Sequence, residues 1–269
     1  MMRVAWLFLA LFALAGCDFG GKPADAGEAA GPAKPAATAS ASAVPGEPAA
    51  LDLEVDTELY GFDYSYPVQI ARIPELKQRL DSELEAAQAR LAELATRAEA
   101  DAREQGFPYN AYAEGTAWEV VADTPRFLSL SAAIYSYTGG AHPNSGTRTL
   151  VWDREAKRAL APADFFLSPA ALETAVRDRY CAALDAERGK RRGDDADMGI
   201  DEFAQCPPIG DLTILLGSSN GRKFNRIGLV ADPYVAGPYA EGDYDITVPV
   251  TREVLEAVRP AYRDAFALR

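Results

Sequence analysis

The chain's only histidine, His142, lies in the segment whose side chains are best suited to chemistry. The candidate binding residues of this segment are Tyr135, Tyr137, Thr138, Gly139, Gly140, His142 and Asn144. In one interpretation the paired glycines supply the unusual dihedrals of a turn between strands, and His142 satisfies local backbone groups. In another, the aromatic, imidazole and amide side chains form a loop that contacts a sugar or a peptide. Both interpretations stay open on residue type alone.

A catalytic interpretation of the same histidine needs further groups. His142 would act as a general base toward Ser145, with Asp153 or Asp164 orienting its ring. No Gly-x-Ser-x-Gly element surrounds Ser145 to present a nucleophile beside an oxyanion site. We therefore expect no catalytic residues, and a cell-wall hydrolase or esterase that uses His142 is the alternative to a binding function.

The first residues of the chain predict export and lipidation. Arg3 precedes an uncharged apolar run over residues 4–13, which is typical of an export signal and too short to span a bilayer. The run ends in Leu14-Ala15-Gly16-Cys17, which resembles the lipobox of bacterial lipoproteins. This resemblance implies a signal peptide over residues 1–16, a lipid on Cys17 and a location on the periplasmic face of a membrane. Asp18 resembles a signal for inner-membrane retention, and an outer-membrane location stays open.

The other two cysteines, Cys181 and Cys206, predict a disulfide. An oxidising periplasm favours a bridge between a lone pair of cysteines. Closing a loop of this length would stabilise the fold by roughly 3 kcal/mol in the chain-entropy model. Redox catalysis would need Cys-x-x-Cys spacing, and a metal site would need more than one histidine, so we expect neither a metal nor a cofactor.

The net charge argues against nucleic acid as a partner. The chain has 27 basic and 40 acidic side chains, and removing the predicted signal takes away only Arg3, which leaves a net charge of −14. Nucleic-acid binding depends on cationic side chains that neutralise phosphates. The charge is compatible with a cationic partner, and it also serves solubility. We expect the membrane to be contacted through the lipid anchor.

Composition and periodicity divide the chain and predict an α+β fold. Residues 17–50 carry the lipidated cysteine and a disordered Ala/Pro/Gly linker, and two α+β modules follow over residues 51–145 and 146–269. A helix begins at Pro74 and ends at Gly106, with apolar residues every three or four positions from Leu76 through Leu94 to Ala98. Consecutive strands over residues 118–153 predict an antiparallel meander. The predicted fold is therefore an antiparallel sheet meander packed by a long N-terminal helix and by further helices.

The second module has its own predicted elements. A helix over residues 170–187 is followed by a charged, solvated loop over residues 188–195 and a short segment over residues 200–203. A hairpin turns at Ser219-Asn220-Gly221, and residues 244–248 alternate as a strand. Thr251 caps a last helix that buries residues as far as Phe266. The tyrosines at positions 234, 239 and 244 are interpreted as core or rim residues.

Several segments resemble a family of bacterial extracytoplasmic domains that pairs two modules. Tyr66-Pro67-Val68 and the long helix after it resemble the accessory, non-catalytic, PdaC-like domain found beside peptidoglycan deacetylases. Residues 137–142 (Tyr-Thr-Gly-Gly-Ala-His), 161–166 and 233–242 resemble the domain of unknown function that accompanies it, including in anti-sigma factors that act as lysozyme receptors. The resemblance covers nearly all of the chain after residue 51.

This chain differs from these relatives in ways that limit which of their activities it could share. A deacetylase of that type uses an aspartate and two histidines on a metal, so a chain with one histidine is excluded from that activity. We also expect no sigma-binding segment and no spanning helix, so only a binding ectodomain would be shared. The predicted function is a membrane-tethered periplasmic lipoprotein whose non-enzymatic domain binds a peptidoglycan fragment or a cationic protein such as a lysozyme. A structural envelope factor with a fixed protein partner is a third hypothesis.

Overall fold

A computed structural model describes residues 47–193 and 203–269. The predicted signal peptide, Cys17, Asp18, nearly all of the predicted tether and residues 200–202 of the predicted short segment lie outside the described residues. Within the described residues, no helix is both long enough and apolar enough to cross a membrane.

The larger sheet has six strands in the order β1-β2-β3-β4-β5-β6. Their bounds are β1 Leu51–Asp56, β2 Tyr60–Tyr66, β3 Tyr112–Asp123, β4 Phe127–Tyr137, β5 Asn144–Asp153 and β6 Arg158–Leu160. Neighbouring strands are antiparallel except β2 and β3, which run parallel. The α+β class is confirmed, but the expectation of a wholly antiparallel meander is wrong at this pair. A parallel pair needs a long crossover connection, and the helical segment between β2 and β3 provides it.

Two helices form that crossover, a single turn α1 (Val68–Ala71) and the 32-residue α2 (Pro74–Gln105). Proline is favoured at the first helical position, where its missing N–H is not needed, and the helix ends before Gly106 as predicted. Leu76, Leu80 and Leu91 are buried in the core on one face of the sheet, and Ala95 is buried too. The side chain of Leu94, which we assigned to this face, is 41% exposed; Ala95 takes its place because the stripe drifts around the helix axis.

The smaller sheet has the antiparallel order β7-β8-β9, with β7 Thr213–Gly217, β8 Arg226–Ala231 and β9 Tyr244–Pro249. Helix α3 (Pro169–Arg192) packs against β9, and the short helix α4 (Arg252–Ala257) packs against α3. The Thr251 hydroxyl accepts from the amide of Val254, which confirms the predicted cap. The last helix is shorter than predicted because Pro260 cannot continue it, and a 3₁₀ turn over Pro260–Ala265 follows.

The two sheets are joined at one edge of β5. Because β6 pairs only with Val151–Asp153, Thr147 needs partners from elsewhere. The Asp232 carboxylate accepts from the amide of Thr147 at 3.1 Å and from its hydroxyl at 2.9 Å, and the Thr213 hydroxyl donates to the Thr147 carbonyl at 3.2 Å. Residues 145 and 146, the predicted boundary between modules, lie within β5, so the larger sheet continues across it.

A buried carboxylate organises the turn that follows β5. Asp153 is 1% exposed and accepts from the Arg126 guanidinium and from the amides of Glu155 and Ala156. Burial raises the pKa of this carboxyl, but the hydrogen bonds from Arg126 and the two amides outweigh burial, so the pKa lies below its usual value.

We expect Asp153→Asn to lower the free energy of unfolding by about 1–3 kcal/mol near neutral pH, because charge-assisted hydrogen bonds are lost. A depressed folded-state pKa stabilises the fold above the unfolded-state pKa, about 3.9 for aspartate, and this contribution disappears as pH falls through the folded-state value. Urea unfolding at neutral and acidic pH measures both effects. The difference from wild type should shrink below about pH 4. A pH-independent difference would contradict this role, and exposed Asp101→Asn is the control.

Candidate functional site

The structure divides the predicted binding segment between two places. Tyr135 and Tyr137 end β4, Asn144 begins β5, and residues 138–143 connect the strands. Gly139 has φ +84°, as the turn interpretation expects, whereas Gly140 is not among the glycines with a positive φ. Tyr135 faces a groove on the larger sheet, whereas His142 contacts the loop after β8. The residues Thr138, Gly140 and Asn144 are exposed.

His142 stacks on an aromatic residue that is distant in sequence. Its ring centroid lies 4.0 Å from that of Tyr239, with 24° between the planes. His142 Nδ1 lies 2.9 Å from the Pro143 carbonyl, and Nε2 lies 3.4 Å from the Tyr234 hydroxyl. Because a carbonyl can only accept, Nδ1 carries the hydrogen of the first contact. We call His142, Tyr234 and Tyr239 the aromatic platform.

Tyr234 is held in a strained backbone conformation. Its φ of +72° is in the left-handed region, which non-glycine residues rarely adopt, and its side chain is 53% exposed. The ring centroid lies 5.8 Å from that of Tyr239. The amide of Tyr234 donates to the Gly237 carbonyl at 3.0 Å. Strain of this kind persists only where neighbouring contacts enforce it, and it concentrates at functional sites. Burial of this ring cannot be the reason for the strain.

A groove of about 290 Å³ lies on the larger sheet, on the face opposite α2. Small residues form its floor, and its rim includes Asp52, Asp63 and Tyr135. The Tyr135 hydroxyl donates to Asp63 at 2.6 Å. Burial first, and then the Asp63 carboxylate, raise the pKa of this hydroxyl. The ring of Tyr135 lies flat on Gly115, where a Cβ atom would meet Tyr135 Cε1 at 2.0 Å.

The same open face carries charge of one sign. Strand alternation places Asp52, Glu54, Asp56, Asp63 and Glu119 on it, and among the strand positions between residues 52 and 149 that share this face none is Lys, Arg or His. On the face that packs against α2, charged residues of the sheet make ion pairs with the helix, as in Arg148–Glu83 and Arg90–Glu114. The sheet is therefore electrostatically two-sided.

The catalytic triad considered from the sequence is not assembled. Ser145 is the second residue of β5 and Asp153 is the last, about 27 Å away at the rise of an extended strand. Asp153 is held by Arg126. Asp164 accepts from the amide of Ala161 at 2.9 Å. Neither carboxylate orients His142. Within residues 47–193 and 203–269, no three His, Cys, Asp or Glu side chains are grouped to hold a metal ion.

The arginines predicted to form a solvated loop are helical. They hold in place the loop between β8 and β9, residues 232–243, which we call the platform loop. Helix α3 continues to Arg192, and Arg188 is 4% exposed. Arg192 makes a two-point ion pair with Glu241 at 2.8 and 2.9 Å, and this contact holds the pKa of Glu241 below its usual value. The sequence carried a signal for this outcome, because Arg188 continues the four-residue spacing of the buried Leu172, Val176, Tyr180 and Leu184.

Comparisons with known proteins found a family model that matches part of the chain and solved structures that are similar to it. A family model described as deacetylase PdaC matches residues 53–145. A DUF3298 family protein from Pseudomonas aeruginosa PAO1 shares the fold, with 18% identity, a TM-score of 0.50, and coverage of 82% of this chain and 96% of that one. A DUF3298 family protein from Bacteroides fragilis has 18% identity, a TM-score of 0.45, and coverage of 78% and 91%. No curated protein matches the sequence.

We expect Tyr234→Gly to leave the free energy of unfolding unchanged or to raise it by up to about 1 kcal/mol, because glycine adopts a positive φ without strain. Most substitutions that remove a large side chain lower the free energy of unfolding. Tyr239→Gly is the matched comparison: Tyr239 is partly buried under His142, so its removal should destabilise the fold. Denaturant unfolding of both variants measures the difference. A clear loss of stability in Tyr234→Gly would show that the ring of Tyr234 is a structural contact.

Proposed function

We propose that this chain is a cell-envelope lipoprotein whose folded domain binds cell-wall glycan fragments on the aromatic platform, without catalysing their cleavage. The exposed ring of Tyr234, held at a strained φ beside His142, carries this proposal. An exposed ring adds no packing to the core that would offset the strain of its backbone. A role at the surface, such as ligand binding, therefore accounts for this ring.

The platform has the chemistry that sugar rings need. A pyranose presents apolar C–H groups on its faces and hydroxyl groups at its edge, and aromatic rings offer a flat apolar surface with polar groups at the rim. Here the outer surface of His142 and the ring of Tyr234 are exposed, and Tyr239 supports His142 from behind. The Tyr234 hydroxyl lies at the rim, close enough to donate to or accept from a sugar hydroxyl.

The alternative function, a cell-wall hydrolase or esterase that uses His142, has less support. A histidine base needs a nucleophile in reach and a group that orients its ring. Nε2 of His142, the nitrogen that would accept the proton, lies closest to the phenol of Tyr234. Asp153 and Asp164 are engaged elsewhere. The contacts of His142 support binding better than proton transfer.

A second candidate, capture of a cationic protein such as a lysozyme, is favoured by the acidic open face of the larger sheet. A face of one sign steers an oppositely charged partner and speeds its association at low salt. The groove at Asp52, Asp63 and Tyr135 would accept a lysine or arginine side chain from that partner. This candidate uses the sheet face, not the platform, so the two can be separated by substitution.

The proposal includes a lipid anchor at Cys17 on the periplasmic face of a bacterial membrane, with Asp18 favouring the inner membrane. The lipobox resemblance and the Ala/Pro/Gly composition of residues 17–50 support it. A flexible tether of that length reaches roughly 30 Å, which suits a domain that samples wall fragments near the membrane. Each acyl methylene buried in the bilayer adds about 0.8 kcal/mol, so several chains make a durable anchor.

We expect the chain to bind soluble disaccharide muropeptides, and we expect Tyr234→Ala and His142→Ala each to weaken binding about 3- to 10-fold, as for the loss of one aromatic contact. Calorimetric titration measures the affinities. Phe107→Ala is the matched control, since Phe107 is an exposed aromatic residue outside the platform, two residues after the end of α2.

Equal affinities for all three variants would show that the aromatic platform does not bind the muropeptide. Titration with lysozyme tests the second candidate: Asp63→Asn should weaken lysozyme binding and its salt dependence, while Tyr234→Ala should not. If Tyr234→Ala weakens lysozyme binding and Asp63→Asn does not, the protein partner binds at the platform. If neither muropeptide nor lysozyme binds, both proposed functions are contradicted.

We expect cells that express the chain to incorporate labelled palmitate into it, and Cys17→Ala to abolish the label, because the thioether can form only on that cysteine. The variant should also leave the membrane fraction. Cys181→Ala serves as the control. A Cys17→Ala chain that keeps the label would contradict the anchor.

A further inference from the structure

A single buried guanidinium contacts two loops that are far apart in sequence. Arg188 lies near the end of α3, and its side chain is 5% exposed. Its Nε and Nη2 donate to the Ala236 carbonyl at 3.0 and 2.8 Å. Nη2 also donates to the Gln205 carbonyl at 3.1 Å, and Nη1 donates to Asp185 at 3.3 Å. Two backbone carbonyls therefore share one buried charge.

The first loop is tied to α3 by the disulfide. Gln205 directly precedes Cys206, which is bonded to Cys181 on α3. Arg177, one turn before Cys181, adds a hydrogen bond to the Cys206 carbonyl at 3.3 Å. The position of the Gln205 carbonyl relative to Arg188 thus depends on a covalent link, two helical turns away on the same helix.

The second loop, between β8 and β9, carries Tyr234 and Tyr239 of the aromatic platform. Ala236 lies between Tyr234 and Tyr239 and is fully buried. Arg191 donates to the carbonyls of Glu241 and Asp243 at 2.7 Å each, at the far end of the same loop. The last two turns of α3 therefore hold the loop at its middle and at its end.

We propose that Arg188 is a positioning residue that couples the Cys181–Cys206 bridge to the aromatic platform, so that opening the bridge weakens ligand binding. A dithiol reductant would pass two electrons and two protons to the bridge, giving two cysteine thiols and leaving the reductant as a disulfide. The freed segment would withdraw the Gln205 carbonyl. A buried charge that loses a hydrogen-bond acceptor is destabilised. The Arg188 guanidinium would then shift toward another acceptor, and its hydrogen bonds to the Ala236 carbonyl would be lost.

The functional part of this coupling rests on the proposed function, but its structural part can be measured without a ligand. The chain has one histidine, so proton NMR of the full-length chain shows one Hε1 signal from the ring that stacks on Tyr239. Ring currents make that signal sensitive to the stacking. It reports on the platform while global stability is measured separately.

The experiment compares four forms of the full-length chain with wild type. They are Arg188→Met, the bridge-free Cys181→Ala/Cys206→Ala, the combination of these changes, and Lys190→Met as the control. Lys190 is exposed on the same helix and makes an ion pair with Glu187 at 3.0 Å. We expect the first two variants to shift the His142 signal and weaken muropeptide binding about 3- to 10-fold each, and the combination to lose less than the product of the two. Lys190→Met should match wild type.

A purely structural Arg188 would lower the melting temperature while leaving the His142 signal of the folded chain unchanged, and that result overturns the coupling. Strictly multiplicative losses in the combined variant overturn it too. If Arg188→Met does not fold, the bridge-free variant decides: a shifted His142 signal supports the coupling, and an unchanged one overturns it. If wild type binds no muropeptide, the proposed function fails while the signal still tests the coupling.

Discussion

The contact between Asp232 and Thr147 links the two sheets at the edge of β5, beside the apolar core that both sheets share. Thr147 directs its amide and carbonyl off an edge of β5 that β6 does not cover, and an unpaired edge of this kind is both costly and prone to association. The Asp232 carboxylate and the Thr213 hydroxyl satisfy those groups. Because Thr147 is five residues after His142 and Asp232 is two residues before Tyr234, the same contact brings the two halves of the platform together.

The platform loop is fixed at both ends, and this explains how a strained tyrosine persists. Asp232 holds the beginning of the loop on β5, and Arg192 and Arg191 hold its end on α3. Between these points the chain has few ways to relax, so a positive φ at Tyr234 is sustained by contacts elsewhere. The rigid elements supply the precision, and the short loop supplies the exposed ring. This division between scaffold and site is common in binding proteins.

Local pattern predicted the elements well because each pattern is enforced locally. The bounds of α2 follow from Pro74 and Gly106, and the turn at Asn220-Gly221 joins the two strands as expected. Pairing across long distances was not predictable from pattern. The parallel pairing of β2 with β3 depends on how α2 crosses the sheet, and periodicity within a strand carries no information about its neighbours.

Only part of the candidate site could be predicted from the sequence. The sequence singled out His142, but its partners Tyr234 and Tyr239 are about 90 residues away, and nothing local marks that contact. Arg188 was assigned to a solvated loop because charge usually means exposure. Its spacing from Leu184 outweighed its charge, since two backbone carbonyls satisfy the guanidinium where it is buried. Charged side chains are so rarely buried that a rule assigning them to the surface does not predict a case such as Arg188.

The most direct test of the central claim is an experimental structure of the chain with a bound disaccharide muropeptide. We expect a sugar ring packed on the exposed surfaces of His142 and Tyr234, with the platform loop held between Asp232 and the end of α3. A sugar bound in the groove beside Asp63 and Tyr135, with an empty platform, would contradict it.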